Sequence, residues 1–248
     1  MEFRIFEHPV VDSTSELAFR ALAAGTARHG DVHMADGQVA GRGRRGAAWV
    51  SPPGAGLYAS LVLLTSRVLE PAATTMGAGL AVRSMMLELG VTEAQLKWPN
   101  DVLVMGAKVC GILAETRGLD RASPHCVLGI GINVRQREFP ADLVRERAVT
   151  SLSLCGVNTD PRAVLSCLLP HLAWEMERVE SNPASTLQSY FTATGLANRR
   201  VRVFSGEFEI EGIWRELDLA RGLGLMLPDG SLRRVRLEHV RALVATED

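Results

Sequence analysis

One segment of the chain reads Gly41-Arg42-Gly43-Arg44-Arg45-Gly46. Guanidinium groups grip phosphate through paired hydrogen bonds, and glycine lets the backbone approach closely, so the segment suits a loop that closes over phosphate. A solvated basic turn is the plainer alternative, because short charge runs usually sit on the surface. The Gly41-x-Gly43-x-x-Gly46 spacing also matches a dinucleotide fingerprint, which requires a helix directly after the glycines. Pro52-Pro53 follow instead, and no βαβ unit with a terminal acid surrounds them, so that reading fails.

A second segment is Lys97-Trp98-Pro99-Asn100-Asp101, followed by Lys108. A lysine beside Asp and Asn suits neutralising a phosphoryl group and orienting a metal ion, with Asp101 the candidate metal ligand. A strand-end turn with surface lysines is the alternative for Lys97. Lys108 stands two residues before Cys110 on a segment running into Ile112-Leu113, so it begins a core strand. In Gly129-Ile130-Gly131-Ile132-Asn133, glycines inside a strand mean that a ligand or another stretch of backbone approaches one face closely. Ser13-Thr14-Ser15 places hydroxyls at a helix start, where they hold a polar ligand group or simply cap the helix. No Ser-His-Asp or Cys-His arrangement for nucleophilic catalysis is evident.

These segments need elements to hold them. Weak alternation predicts a strand over residues 3–6. A helix over 17–24 follows, with Ser13 and Glu16 at capping-box spacing. Strands are expected over 32–35, 57–65, 96–98 and 127–134, with a hairpin of 102–104 and 108–115 around Met105-Gly106-Ala107. Helices are expected over 71–90, 161–179 and 187–194, the first with small residues suited to close packing on a sheet. Near residue 198 the character changes. Val201/Val203, Phe208/Ile210, Leu225/Leu227, Leu232/Val235 and Val240/Leu243, separated by glycine turns, predict five short strands of a small barrel. The division is therefore 1–197 and 198–248.

The 248 residues carry a formal net charge of -1, which argues against a general nucleic-acid or anionic-membrane coat. The start of the chain does not read as a secretory signal, and no apolar run is long enough to span a bilayer, so a cytoplasmic protein is expected. Cys110, Cys126, Cys155 and Cys167 form no CxxC pair, and no histidine cluster stands beside them at zinc spacing, which predicts reduced thiols, mostly buried.

Taken in order, Ser13-Thr14, the glycine–arginine segment, Trp49 with Ser51-Pro52, Gly56-Leu57-Tyr58, Lys97-Trp98-Pro99-Asn100-Asp101, Lys108 with Gly111-Ile112-Leu113 and Glu115, and Gly129-Ile130-Gly131-Ile132-Asn133 closely resemble the biotin–protein ligases. The resemblance covers nearly the whole chain. It implies an α+β catalytic domain of the class II synthetase-like type, a mixed sheet with packed helices, followed by an SH3-like barrel. It implies an enzyme that uses ATP and Mg²⁺ to make biotinyl-5′-adenylate and then transfers biotin to a lysine of a biotin carboxyl carrier protein or carboxylase domain.

By position, the resemblance gives Ser13, Thr14, Ser15, Gln38, Gly41, Arg42, Gly43, Arg44, Lys108 and Gly111 to biotin. It gives Arg42, Arg44, Arg45, Gly46, Trp49, Asn100, Lys108 and Asn133 to ATP and the adenylate, with Lys108 and Arg44 catalytic. Ser15 stands where the family usually has Asn, and its side chain is shorter. The sequence begins at the catalytic domain, so no operator binding is expected, and a homodimer is left open. A lipoate or octanoate ligase, which shares the catalytic fold, is the competing enzyme reading. A nucleic-acid-binding protein using Arg42–Arg45 is the competing reading from another class.

Overall fold

A computed structural model describes residues 1–65, 69–118, 124–206 and 208–246. Seven strands form the first sheet: β1 (Arg4–Val11), β2 (Asp31–Gln38), β3 (Gly56–Leu64), β4 (Ala94–Lys97), β5 (Asp101–Val104), β6 (Ala107–Glu115) and β7 (His125–Asn133). Their order is β1-β2-β3-β7-β6-β5-β4, with β1 and β2 parallel and the other pairs antiparallel. Helix α1 (Thr14–Ala23) connects β1 to β2, and α2 (Pro71–Glu88) follows β3. After β7 come α3 (Ala141–Glu146), α4 (Pro161–Ser181) and α5 (Pro183–Ala193). Among the described residues, no helix is long and apolar enough to cross a membrane.

Side chains alternate across a strand, and this alternation splits the sheet into two faces. Leu61 and Leu63 of β3, with Cys126, Leu128, Ile130 and Ile132 of β7, join the main core beneath α2, α4 and α5. Val62 and Val127 point the other way and pack with Ala18 and Phe19 of α1. The cavity-facing residues Tyr58, Ser60, Gly129 and Gly131 lie in step with that second set. The small residues of α2 serve more than the sheet. A Cβ on Gly77 would lie 2.7 Å from Val179 of α4, so the glycine is what lets the two helices touch.

Strand β6 departs from simple alternation at the place that matters most. Pairing with β5 shifts between Val102↔Cys110 and Leu103↔Lys108, leaving Val109 as an extra residue. A bulge of this kind re-aims a side chain. Val109 and Cys110 are both fully buried in the core, and Lys108 is turned onto the cavity face with Gly111. The adjoining Met105-Gly106 turn has φ of 50° and 79°, as a tight two-residue hairpin requires.

The second sheet is antiparallel, in the order β11-β10-β9-β8-β12. Its strands are β8 (Arg200–Ser205), β9 (Glu209–Asp218), β10 (Gly222–Met226), β11 (Leu232–Val235) and β12 (Val240–Ala245), one for each expected apolar pair. Fully buried Trp214 meets Phe191 edge-on at 4.7 Å and Trp98 at 6.4 Å between centroids. Trp98 Nε1 donates to Val240 O at 3.3 Å, so the two sheets share one continuous core.

Candidate functional site

A cavity of about 550 Å³ lies on the α1 side of the seven-stranded sheet. Its inner end is a buried cluster of hydroxyl and amide groups. Thr14 donates its backbone N–H to Gln38 Oε1 at 2.9 Å. Ser60 Oγ lies 2.8 Å from Thr14 Oγ1 and 3.0 Å from Ser15 Oγ. Gln38 Nε2 donates to Ser51 Oγ at 3.0 Å, and Ser51 donates to Trp49 O at 3.0 Å. Ser13, Thr14 and Ser15 are all buried. Ser13 is the N-cap residue but makes no side-chain capping bond, and the expected capping box is absent. Glu16 is instead drawn away by two arginines, 2.5 Å from Arg42 and 2.6 Å from Arg117.

Trp49, Lys108 and two glycines form the middle of the cavity. A Cβ on Gly131 would fall 2.5 Å from the indole of Trp49, and one on Gly111 would fall 2.8 Å from it. The close approach that the β7 glycines foretold is therefore made by this ring, which reaches the sheet from the loop. Lys108 Nζ is 5.2 Å from the Trp49 ring centroid and 2.6 Å from Asp101 Oδ1. Both ionic groups are mostly buried at the cavity wall. Asp101 thus fixes the ammonium where its charge faces the open space.

The glycine–arginine loop is folded back on itself. Trp49 donates its N–H to Gly41 O at 2.9 Å and Gly43 donates to Ala47 O at 2.7 Å, with a 3-10 turn over Arg44–Gly46. Its three arginines have different fates. Arg42 lines the cavity but is paired with Glu16 and, at 3.5 Å, with Glu115, so carboxylates neutralise its charge. Arg44 lines the cavity, and burial and then neighbouring Arg45 push its pKa down, while Asp101 pushes it up. A guanidinium so placed still carries its proton at neutral pH. Arg45, with φ of 55°, is exposed, and neither it nor Gly46 reaches the cavity wall. Gly41 lies behind the wall, where a Cβ would collide with Trp49 O at 2.5 Å.

Both expected asparagines line the cavity, but they also hold backbone. Asn100 Nδ2 donates to Ile112 O at 2.9 Å. Asn133 Nδ2 donates to Thr150 O at 2.9 Å, and its Oδ1 accepts from Gln136 Nε2 at 3.3 Å. The outer end of the cavity was not foreseen. Gln136, Phe139, Pro140 and Leu143 line it, the last from α3. Lys108 clamps the following segment, donating its N–H to Ala148 O and accepting from Thr150 N, both at 2.9 Å. Ser60 and Tyr58 were also missed, although alternation along β3 sets both opposite the core residues Ala59 and Leu61. The Tyr58 hydroxyl donates to Pro52 O at 3.1 Å, and its burial raises its pKa, so it stays protonated.

The arrangement suits an elongated ligand with a neutral polar head and an anionic body. Hydroxyl and amide groups are placed to meet the head, the glycine-bare sheet and the indole to hold a flat or apolar middle, and Lys108 and Arg44 to meet developing negative charge. Preorganised cations of this kind stabilise a phosphoryl displacement without a covalent nucleophile.

Comparisons with known proteins agree in direction. The profile of the Biotin/lipoate A/B protein ligase family matches residues 7–133. The bifunctional ligase/repressor BirA of Escherichia coli is 33% identical over 230 residues, spanning 91% of this chain and 70% of that protein. The biotin–[acetyl-CoA-carboxylase] ligase of Paracoccus denitrificans is 32% identical over 227 residues, 88% of this chain and 92% of that one. The biotin protein ligase of Aquifex aeolicus in complex with biotin and ATP superposes with a TM-score of 0.81 at 26% identity, covering 98% of this chain and 99% of that chain.

Proposed function

The chain belongs to the biotin/lipoate A/B protein ligase family, and from that premise we infer that it is an ATP-dependent biotin–protein ligase. In the first step a biotin carboxylate oxygen attacks the α-phosphorus of ATP. A C(O)–O–P bond forms, the bond to the β-phosphate oxygen breaks, and pyrophosphate leaves. In the second step a lysine amine attacks the activated carbonyl carbon. An amide C–N bond forms, the single C–O bond to the phosphate breaks, AMP leaves, and the amine proton passes to solvent. The observation that carries this reading is a single cavity joining the Thr14–Gln38–Ser60 cluster to Lys108 and Arg44 across the Trp49 ring.

The residue roles follow from that order. Thr14, Ser15 and Gln38, with Ser60 beneath them, receive the ureido head of biotin. Gly111 and Gly131 leave room along the sheet. Lys108, steadied by Asp101, meets the carbonyl and the α-phosphate oxygens, and Arg44 closes over the phosphate. Asn133 and Asn100 act by holding the segments that bound the adenine end. Mg²⁺ fits this site as a nucleotide-borne ion, because it needs only one or two carboxylates beside phosphate and water, and Asp101 supplies one at the wall. The ion supplies charge neutralisation on the phosphates. The acceptor is a carrier domain of a biotin-dependent carboxylase such as acetyl-CoA carboxylase, and the cytoplasm is its setting. BirA carries a repressor function in its name, and only its ligase function is carried over to this chain.

The deciding experiment incubates the protein with biotin, ATP and Mg²⁺ and looks for biotinyl-5′-adenylate by mass spectrometry and for pyrophosphate release. Lipoate in place of biotin is the control, because the family includes lipoate ligases. Adenylate from lipoate but not biotin would overturn the substrate assignment.

A further inference from the structure

We propose that Glu88, Cys167 and His171 form a divalent-cation site of the zinc class, away from the ligase cavity, that ties the end of α2 to the middle of α4. Cys167 and His171 are four residues apart on α4, so they share one face of the helix. Glu88 is the last residue of α2, which packs along α4. The Nε2 of His171 lies 2.8 Å from Glu88 Oε2, and one ligand atom from each of the three residues falls within 4.8 Å of the others. The Glu88 carboxylate meets both partners, and hydrogen bonds from His171 and then Cys167 hold its pKa below the ordinary range.

A tetrahedral zinc ion with ligands at about 2.0–2.3 Å sets its donors roughly 3.4–3.7 Å apart, so side-chain shifts of about an ångström admit it. Sulfur, imidazole and carboxylate together favour Zn²⁺ or Co²⁺ over Mg²⁺ and Ca²⁺, which take oxygen ligands. The nearby Glu175 is not a fourth ligand, because both its oxygens are bound by Arg178 at 3.0 Å, and water completes the shell. None of the three residues lines the ligase cavity. In the sequence the pair reads Cys167-x-x-x-His171, and the third member comes from another helix.

The test titrates the metal-free 248-residue chain with Co²⁺ and then with Zn²⁺. A thiolate-to-cobalt charge-transfer band is expected in the near ultraviolet. It should be lost in Cys167→Ala, kept in Cys155→Ala and bleached by Zn²⁺. Zn²⁺ should also raise the melting temperature of the parent by several degrees, and leave that of Cys167→Ala and His171→Gln unchanged. The proposal is overturned by the absence of a band in the parent, by a band that survives Cys167→Ala, or by a melting temperature indifferent to Zn²⁺.

Discussion

The indole of Trp49 lies across the bare backbone of Gly131, so close that a methyl group there would sit 2.5 Å from the ring. The glycine therefore fixes the depth of the cavity floor, and the ring roofs it. Gly131→Ala should leave the strand intact, since its backbone is extended, but must displace the indole. A displacement of about 1 Å near a reacting centre costs about 10²-fold in rate. Adenylate formation should fall by about that factor, with a changed tryptophan emission on biotin binding and an unchanged far-ultraviolet spectrum. Turnover within three-fold of the parent would show that the ring has no positional role.

Lys108→Ala should keep the fold and lose adenylate formation by about 10²–10³-fold, the usual loss on removing one preorganised group that meets transition-state charge. Asp101→Asn tests a different step. It removes the carboxylate 2.6 Å from Lys108 Nζ, leaving the ammonium in place but unanchored. The expected outcome is a smaller fall in kcat than for Lys108→Ala, accompanied by a weaker response to Mg²⁺. Equal losses in both variants, with the Mg²⁺ response unaltered, would argue that Asp101 acts only through the lysine.

Glu16 ties the base of the arginine loop to α1 through Arg42, and to Arg117 beyond it. Its pKa is lowered, chiefly by the Arg117 hydrogen bonds and against the effect of burial, with Arg42 adding to the shift. For a carboxylate with a depressed folded pKa, the stabilising contribution is full above the unfolded value of about 4.3 and lost as pH falls through the folded one. Loop protection in hydrogen exchange, corrected for intrinsic rates, should thus stay level from pH 8 to about 5 and drop only below about 4. Glu16→Gln should lower protection of residues 41–47 between pH 8 and about 5, and converge with the parent below about 4. Unchanged protection in that variant would place the tether elsewhere.

Much of this site was legible in the chain because its residues come from short, unusual segments. The glycine–arginine run, Lys108 and the β7 glycines announce close approach and positive charge on composition alone. The pattern in β3 was equally available: Tyr58 and Ser60 are the two hydroxyl-bearing residues of an otherwise apolar strand, both on the face opposite Ala59 and Leu61. What stayed hidden depends on tertiary partners. Nothing local says that Glu16 prefers two arginines to the helix N-terminus, or that α3 and the segment clamped by Lys108 close the outer end. Five apolar pairs foretold the strands of the second sheet. They did not foretell that Trp214 would be buried against Phe191 and Trp98. Ending the chain at residue 197 would uncover both rings, so any loss of activity there reports on the shared core.

A mixed anhydride of biotin and AMP acylates any accessible lysine once it escapes. Of the three loop arginines, Arg42 is bound by carboxylates and Arg45 is exposed, whereas Arg44 faces the cavity with Asp101 and Lys108. Arg44 is therefore the guanidinium placed to grip the adenylate. A charge-assisted hydrogen bond of that kind contributes about 1.5–3 kcal/mol. Losing it raises the dissociation rate by about one to two orders of magnitude. Arg44→Gly should still form the adenylate but release it, so that added serum albumin becomes biotinylated in proportion to its exposed lysines. Arg45→Gly, removing a charge outside the cavity, should label albumin at close to the parental rate. If Arg44→Gly consumes ATP yet labels albumin no faster than the parent, the intermediate is retained by other groups, and Trp49 becomes the first to examine.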